Sequence, residues 1–215
     1  MPRQPVVIVA GGDAAPASVA EALPADAFVI AADSGLHTAN DLGLRPDLVV
    51  GDLDSADPAA IAAARDAGVP VETHPADKDA TDLELALEAA ADRGLGPAVV
   101  IGGASLDRID HFIANALLMA ADRFATLEPT WLVKGREVHV VRSEATIRGT
   151  EGDIVTLLPV GGPARGVRTK GLRWALDDET LEAGSTRGVS NVLERPEATV
   201  SVESGVLIAI HGGTP

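Results

Sequence analysis

The sequence predicts an α/β protein: an N-terminal, mostly parallel, three-layer α/β domain followed by a small antiparallel β-sandwich domain. Two observations predict it. Through the first half, short apolar runs alternate with Ala/Leu-rich amphipathic stretches, the strand–helix–strand rhythm of right-handed crossovers. In the second half, short β-rich runs are separated by turn residues. Apolar residues make up 46% but aromatics only 2%, so the core must be packed mainly from Val, Leu, Ile and Ala.

Strands are expected near Val6–Ala10, Ala27–Ala31, Leu48–Val50, Val69–Thr73 and Ala98–Ile101. Helical patterns lie between them, near Ser18–Leu23, Ser34–Leu42, Pro58–Ala67, Thr81–Arg93 and Asp110–Ala121. Thr81-Asp82-Leu83-Glu84 reads as a capping box. Trp131–Lys134 and Glu137–Arg142 look like a hairpin around Gly135. Further strands are expected at Ile154–Pro159, Arg165–Thr169, Ala198–Val202 and Val206–Ile210. The domains are set at 1–128 and 129–215.

Charge and composition exclude several classes. The net charge is −15, and residues 1–125 hold 20 acids against 7 bases. Such a chain is a poor partner for nucleic acid. There is no cysteine, so disulfides, thiolate metal sites and a Cys nucleophile are ruled out. No apolar run reaches membrane-spanning length, and Val6–Ala10 is too short for a signal segment, so a cytoplasmic location is expected.

The residues that follow each expected strand carry the chemistry. They are Gly11-Gly12-Asp13, Asp33-Ser34-Gly35, Gly51-Asp52-Leu53-Asp54-Ser55, Lys78-Asp79-Ala80-Thr81-Asp82, and Gly102-Gly103 with Arg108-Ile109-Asp110-His111. In an open parallel sheet the strand C-termini share one edge, where ligands bind. Taken singly, these aspartates also read as Asx turns, caps or dipole partners. Together they repel one another, and a divalent cation removes that conflict. All-oxygen ligands suit Mg²⁺, which is usually bound by one or two carboxylates plus substrate phosphates. Gly11-Gly12 can bring backbone amides to an anion, although no P-loop pattern is present. Lys78 is the only lysine in the first 125 residues and lies in an acid-rich loop, which suits phosphate contact. Arg108 could clamp a phosphate.

These segments resemble the thiamine pyrophosphokinase (thiamine diphosphokinase) family, in order and over nearly the whole chain. The resemblance rests on Asp33-Ser34-Gly35, Pro46-Asp47 through Gly51-Asp52-Leu53-Asp54-Ser55, Lys78-Asp79-Ala80-Thr81-Asp82 and Arg108-Ile109-Asp110-His111. In the second half, Gly171-Leu172-Arg173-Trp174-Ala175-Leu176 and Gly188-Val189-Ser190-Asn191 are similar to segments of its thiamine-binding domain. The pattern is departed from twice: Leu106-Asp107 replace a Gly-Gly pair, and Val189 replaces a Thr.

The resemblance implies transfer of the pyrophosphoryl group of ATP to thiamine, with Mg²⁺ as cofactor and AMP as second product. Asp52, Asp54 and Asp79 would hold the metal. Asp82, Asp110 and Arg108 would complete the catalytic set. Gly11, Gly12, Asp33, Ser34, Lys78, Thr81 and His111 would surround the nucleotide. Trp174, Ser190 and Asn191 would contact thiamine. It also implies a homodimer, with one subunit's β domain serving the other's catalytic domain. A pterin-type pyrophosphokinase, a non-catalytic nucleotide or thiamine sensor, and a phosphohydrolase with an Asp nucleophile remain as rival readings.

Overall fold

The computed structural model describes residues 2–105 and 107–212; Leu106, from the first of the two departures noted above, lies outside the described residues. The chain divides into two compact units, Met1–Lys134 and Gly135–Pro215. The 128/129 division read from the sequence falls just before a strand of the first unit.

That unit contains β1 (Val6–Ala10), β2 (Phe28–Ala32), β3 (Leu48–Gly51), β4 (Val71–Thr73), β5 (Ala98–Ile101) and β6 (Thr130–Val133). All pair in parallel, in the order β4-β3-β2-β1-β5-β6. Every residue of β1 is buried, as a strand covered on both faces requires. On one face, α1 (Gly35–Asp41) and α2 (Pro58–Asp66) set Leu36, Ala39 and Ile61 against Val9, Val29, Ala31 and Val49. On the other face, α3 (Asp82–Asp92) packs over β1, β2 and β3. It lies there because it carries the chain from edge strand β4 back across to β5. Half of its capping box forms, the Thr81 hydroxyl accepting the Glu84 amide at 3.2 Å, while the Glu84 carboxylate pairs with Arg123. A fourth helix, α4 (Ile109–Met119), leads toward β6.

The first expected helix is instead a short 3₁₀ turn, Ala17–Ala22. Pro16 and Pro24 bracket it, and Leu23, preceding Pro24, is forced into extended geometry (φ −81°, ψ 146°). Too few residues remain for an α-helix to propagate. Trp131 lies in β6, parallel to β5, with its indole N–H donating to the Gly102 carbonyl at 2.7 Å.

The second unit is sheet-rich and wholly antiparallel in its strand pairs. It comprises β7 (Arg136–Val141), β8 (Glu144–Arg148), β9 (Ile154–Lys170), β10 (Glu179–Leu181), β11 (Asn191–Val192), β12 (Glu197–Ser201) and β13 (Ser204–His211). The two strands expected at 154–159 and 165–169 are one 17-residue strand, bent where Gly161 and Gly162 adopt positive φ. Its first half pairs with β13, which reaches past the bend to Arg165, and its second half pairs with β12 and β10. One apolar core, including Ile147, Val155, Leu157, Val167, Val200 and Leu207, serves all of them. Among the described residues, no helix is long and apolar enough to cross a membrane.

Candidate active site

Strand order reverses about β1, whose neighbours are β2 and β5. In open parallel sheets the crevice beyond the strand ends at such a point is where ligands bind. The turns there fit each other closely. The Gly103 amide donates to the Gly11 carbonyl at 2.7 Å, and the Asp13 amide to the Ala104 carbonyl at 3.1 Å. Gly12 has φ +127°, and a Cβ on it would lie 2.7 Å from the Ala104 carbonyl oxygen, so the two turns can meet only around glycine.

A cavity of about 300 Å³ opens at this point. Of the residues expected at the site, it is lined by Gly11, Gly12, Asp33, Ser34, Thr81, Asp82, Arg108 and His111. Ser55 and Gly103, from the strand-end segments singled out above, line it as well, and so do Ala104, Ser105 and Asn115, which sequence reasoning missed. Asn115 is buried in α4 and donates to the Gly103 carbonyl at 2.6 Å, fixing that turn. The available signal was a polar amide on the helix's buried stripe.

Beside the cavity three carboxylates converge. Ligand oxygens of Asp33, Asp52 and Asp82 all lie within 4.8 Å of one another. Two backbone features build the cluster. Asp33 itself has φ +48°, and Leu53, between Asp52 and Asp54, has φ +65°. Such left-handed non-glycine residues are strained and concentrate at functional sites. Gly51 (φ +146°) ends β3 where a Cβ would sit 3.0 Å from Asp82 Oδ1 and 3.1 Å from the Asp33 Cβ.

Lys78 is the cluster's counter-ion. Its ammonium pairs with Asp52 and lies 3.1 Å from Asp82 Oδ1. Burial disfavours the Lys78 charge, but Asp52 and Asp82 outweigh it and hold its pKa above the ordinary lysine value. The Lys78 hydrogen bond in turn holds Asp52 below the ordinary carboxylate range, against burial. Asp33 is the member left out. It is only 6% exposed, and its Oδ1 has no hydrogen-bond partner. Burial raises its pKa; the Ser34 amide opposes that, and the charges of Asp82, Asp52 and Asp54 add to it.

Of the metal set expected from the sequence, Asp52 stands in this cluster and Asp54 and Asp79 stand outside it. Asp54 accepts the Ser55 hydroxyl at 2.9 Å, and its amide donates to Asp52 at 3.3 Å. Asp79 is exposed on the turn before Thr81. Arg108 grips both carboxylate oxygens of Asp110, at 3.0 Å to Oδ1 and 2.8 Å to Oδ2, and also touches His111. That hydrogen bond lowers the Asp110 pKa to about 2.

Trp174, Ser190 and Asn191 lie in the second unit. Trp174 is exposed, with the Arg173 guanidinium 5.8 Å from its ring centroid. Asn191 is only 6% exposed, and its amide is engaged by the backbone of Trp174 and Val192. Ser190 (φ +61°) donates its backbone amide to the Thr156 hydroxyl at 3.1 Å.

Residues 19–128 match the thiamin pyrophosphokinase catalytic domain, and residues 137–207 match the thiamin pyrophosphokinase vitamin B1 binding domain. The thiamine pyrophosphokinase of Bacillus subtilis is 27% identical over 185 residues, covering 85% of this chain and 86% of that protein. Thiamine pyrophosphokinase 1 of Oryza sativa is 26% identical over 182 residues; the match takes in 77% of this chain but 66% of the plant protein. The crystal structure of the Bacillus subtilis enzyme superposes with a TM-score of 0.85 at 25% identity, over 99% of this chain and 100% of that one. Yeast thiamin pyrophosphokinase, at 12% identity and a TM-score of 0.76 over 98% of this chain and 87% of its own, shares the fold. With the two domain matches in order and together spanning most of its length, the chain belongs to the thiamin pyrophosphokinase family.

Proposed function

We propose that this chain is a transferase that moves the pyrophosphoryl group of ATP to the hydroxyl of thiamine, giving thiamine diphosphate and AMP. One observation carries the reading. Three carboxylates from separate crossovers meet beside the cavity; the buried Oδ1 atoms of Asp33 and Asp82 make no hydrogen bond, and only that of Asp82 has the Lys78 charge beside it, at 3.1 Å. An all-oxygen cluster of that kind fits Mg²⁺.

Asp33, Asp52 and Asp82 would hold the metal, with Asp54 and Asp79 acting on it from outside the cluster by charge. When bound, Mg²⁺ supplies charge neutralisation at the polyphosphate. The Gly11-Gly12 and Gly102-Gly103 turns bring backbone close to the nucleotide, with Ser34, Thr81 and His111 on the cavity wall. Lys78 and Arg108 would neutralise phosphate oxygens. The thiamine hydroxyl oxygen bonds to the β-phosphorus as the bridge to the α-phosphate breaks and AMP leaves. Asp110, kept ionised by Arg108, orients that hydroxyl or accepts its proton. In the second unit, exposed Trp174 offers an aromatic face to a cationic heterocycle, and Ser190 a hydroxyl.

The working form would be a homodimer in the cytoplasm. Ile109, Ile113 and Leu117, spaced one helical turn apart on α4, are exposed and offer an apolar stripe for a second copy.

Incubation with Mg²⁺, ATP and thiamine, with the nucleotide product identified by chromatography, tests the reading. AMP with thiamine diphosphate is expected. ADP, or no thiamine product, sinks it.

A further inference from the structure

We infer that Lys78 is a resident counter-cation of the Asp33, Asp52 and Asp82 cluster, exchanged for the divalent ion on loading and released toward the polyphosphate. The inference rests on the reading of this site given above and adds an order to it.

The geometry sets up a competition. The Lys78 ammonium bridges Asp52 and Asp82, and all three side chains are largely withdrawn from solvent. One positive charge therefore serves three converging carboxylates, and Asp33 receives none of its hydrogen bonds. A small divalent ion needs carboxylate oxygens at about 2.0–2.1 Å. The ion and the ammonium draw on the same Asp52 and Asp82 carboxylates, and two cations held side by side there repel each other. Loading would give the cluster twice the charge and a use for the unpartnered Asp33 oxygen. The lysine has somewhere to go, since its stem is flexible and its head is a compact point charge suited to phosphate. The ion alone must break the Lys78 pairs, whereas polyphosphate accepts the ammonium it displaces. Metal and nucleotide therefore bind with positive, reciprocal coupling, and Lys78 carries much of that coupling.

Two measurements test this. Mn²⁺ binding to Lys78→Met, followed by electron paramagnetic resonance without nucleotide, should be at least about tenfold tighter than to wild type, because the competing cation is gone. The further tightening on adding a non-hydrolysable ATP analogue should shrink in the variant. A folded variant that binds Mn²⁺ alone no better than wild type overturns the inference. The second measurement uses the wild-type chain, which has only Lys78, Lys134 and Lys170 to resolve. Its Lys78 side-chain NMR signal should move on titration with Mg²⁺, with the midpoint of metal binding. A Lys78 signal unmoved at saturating Mg²⁺ overturns the exchange while leaving the metal site standing. Failure of wild type to bind Mn²⁺ with or without nucleotide overturns both this inference and the function it rests on.

Discussion

Asn191 holds Trp174 by its backbone on both sides: its Oδ1 accepts from the Trp174 amide at 3.1 Å, and its Nδ2 donates to the Trp174 carbonyl at 2.8 Å. The side chain thus shapes the loop that presents the indole. Asn191→Asp keeps the acceptor but loses the donor and sets a carboxylate against a carbonyl. It should lower stability by about 1–3 kcal/mol. Trp174 fluorescence should become easier to quench, against an unquenched background from buried Trp131. The thiamine KM should rise more than kcat falls. Wild-type melting together with wild-type KM would show the clamp to be idle.

Gly51→Ala tests how the acidic cluster is spaced. The added methyl would enter 3.0 Å from Asp82 Oδ1, at a backbone angle (φ +146°) that side chains rarely adopt. Strain of this kind costs about 1–3 kcal/mol. Displacing Asp33 and Asp82 should reduce AMP formation by about 100-fold, the usual penalty for misplacing reacting groups by an ångström. Steady-state assays paired with urea unfolding separate the two effects. Unimpaired turnover would mean the cluster's spacing does not matter.

In the second unit, His211 Nε2 lies 3.2 Å from Asp153 Oδ2, and the Thr150 amide donates to the same oxygen at 2.8 Å. The Thr150 bond lowers the Asp153 pKa, burial opposes it, and His211 adds to the lowering. Glu137, opposite His211 on the neighbouring strand, is lowered too, chiefly by its hydrogen bond to His139. A carboxylate lowered on folding stabilises the fold above its ordinary pKa, near 4, and that stability is lost as pH falls through the lowered value. Asp153→Ala should cost about 1–3 kcal/mol at pH 7. Its stability should also fall less steeply than wild type between pH 4 and pH 2. Parallel pH profiles from denaturant unfolding would refute the assignment.

The α4 stripe yields a test of assembly. Ile113→Glu with Leu117→Glu places charge on an apolar face that meets solvent. Light scattering should report a dimer mass for wild type and a monomer mass for the double variant. A variant that remains dimeric would move the interface elsewhere.

Much of the first unit was legible in the sequence because β1, β2, β3 and β5 are short apolar runs, each ending at a conspicuous Gly or Asp. The parallel rule then brings those ends to one edge. Which aspartates actually meet was not legible. That depends on the left-handed backbone at Asp33 and Leu53 and on where Lys78 points, and residue type does not encode these. The clamp of Asn191 on Trp174 was not legible either, because an amide in a turn presents the same pattern whether it faces a substrate or neighbouring backbone. The bend of β9 was hidden because Gly161-Gly162-Pro163 looks like a loop, yet residues on either side stay paired to β13.

That bent strand is shared by two sheets of the second unit, one containing β7 and β13 and the other β12 and β8, and so ties them together. Because β9 runs through both, neither sheet can open without tearing hydrogen bonds from the other. Amide protons on β8 and on β13, although they belong to different sheets, should therefore exchange with solvent through one shared opening event.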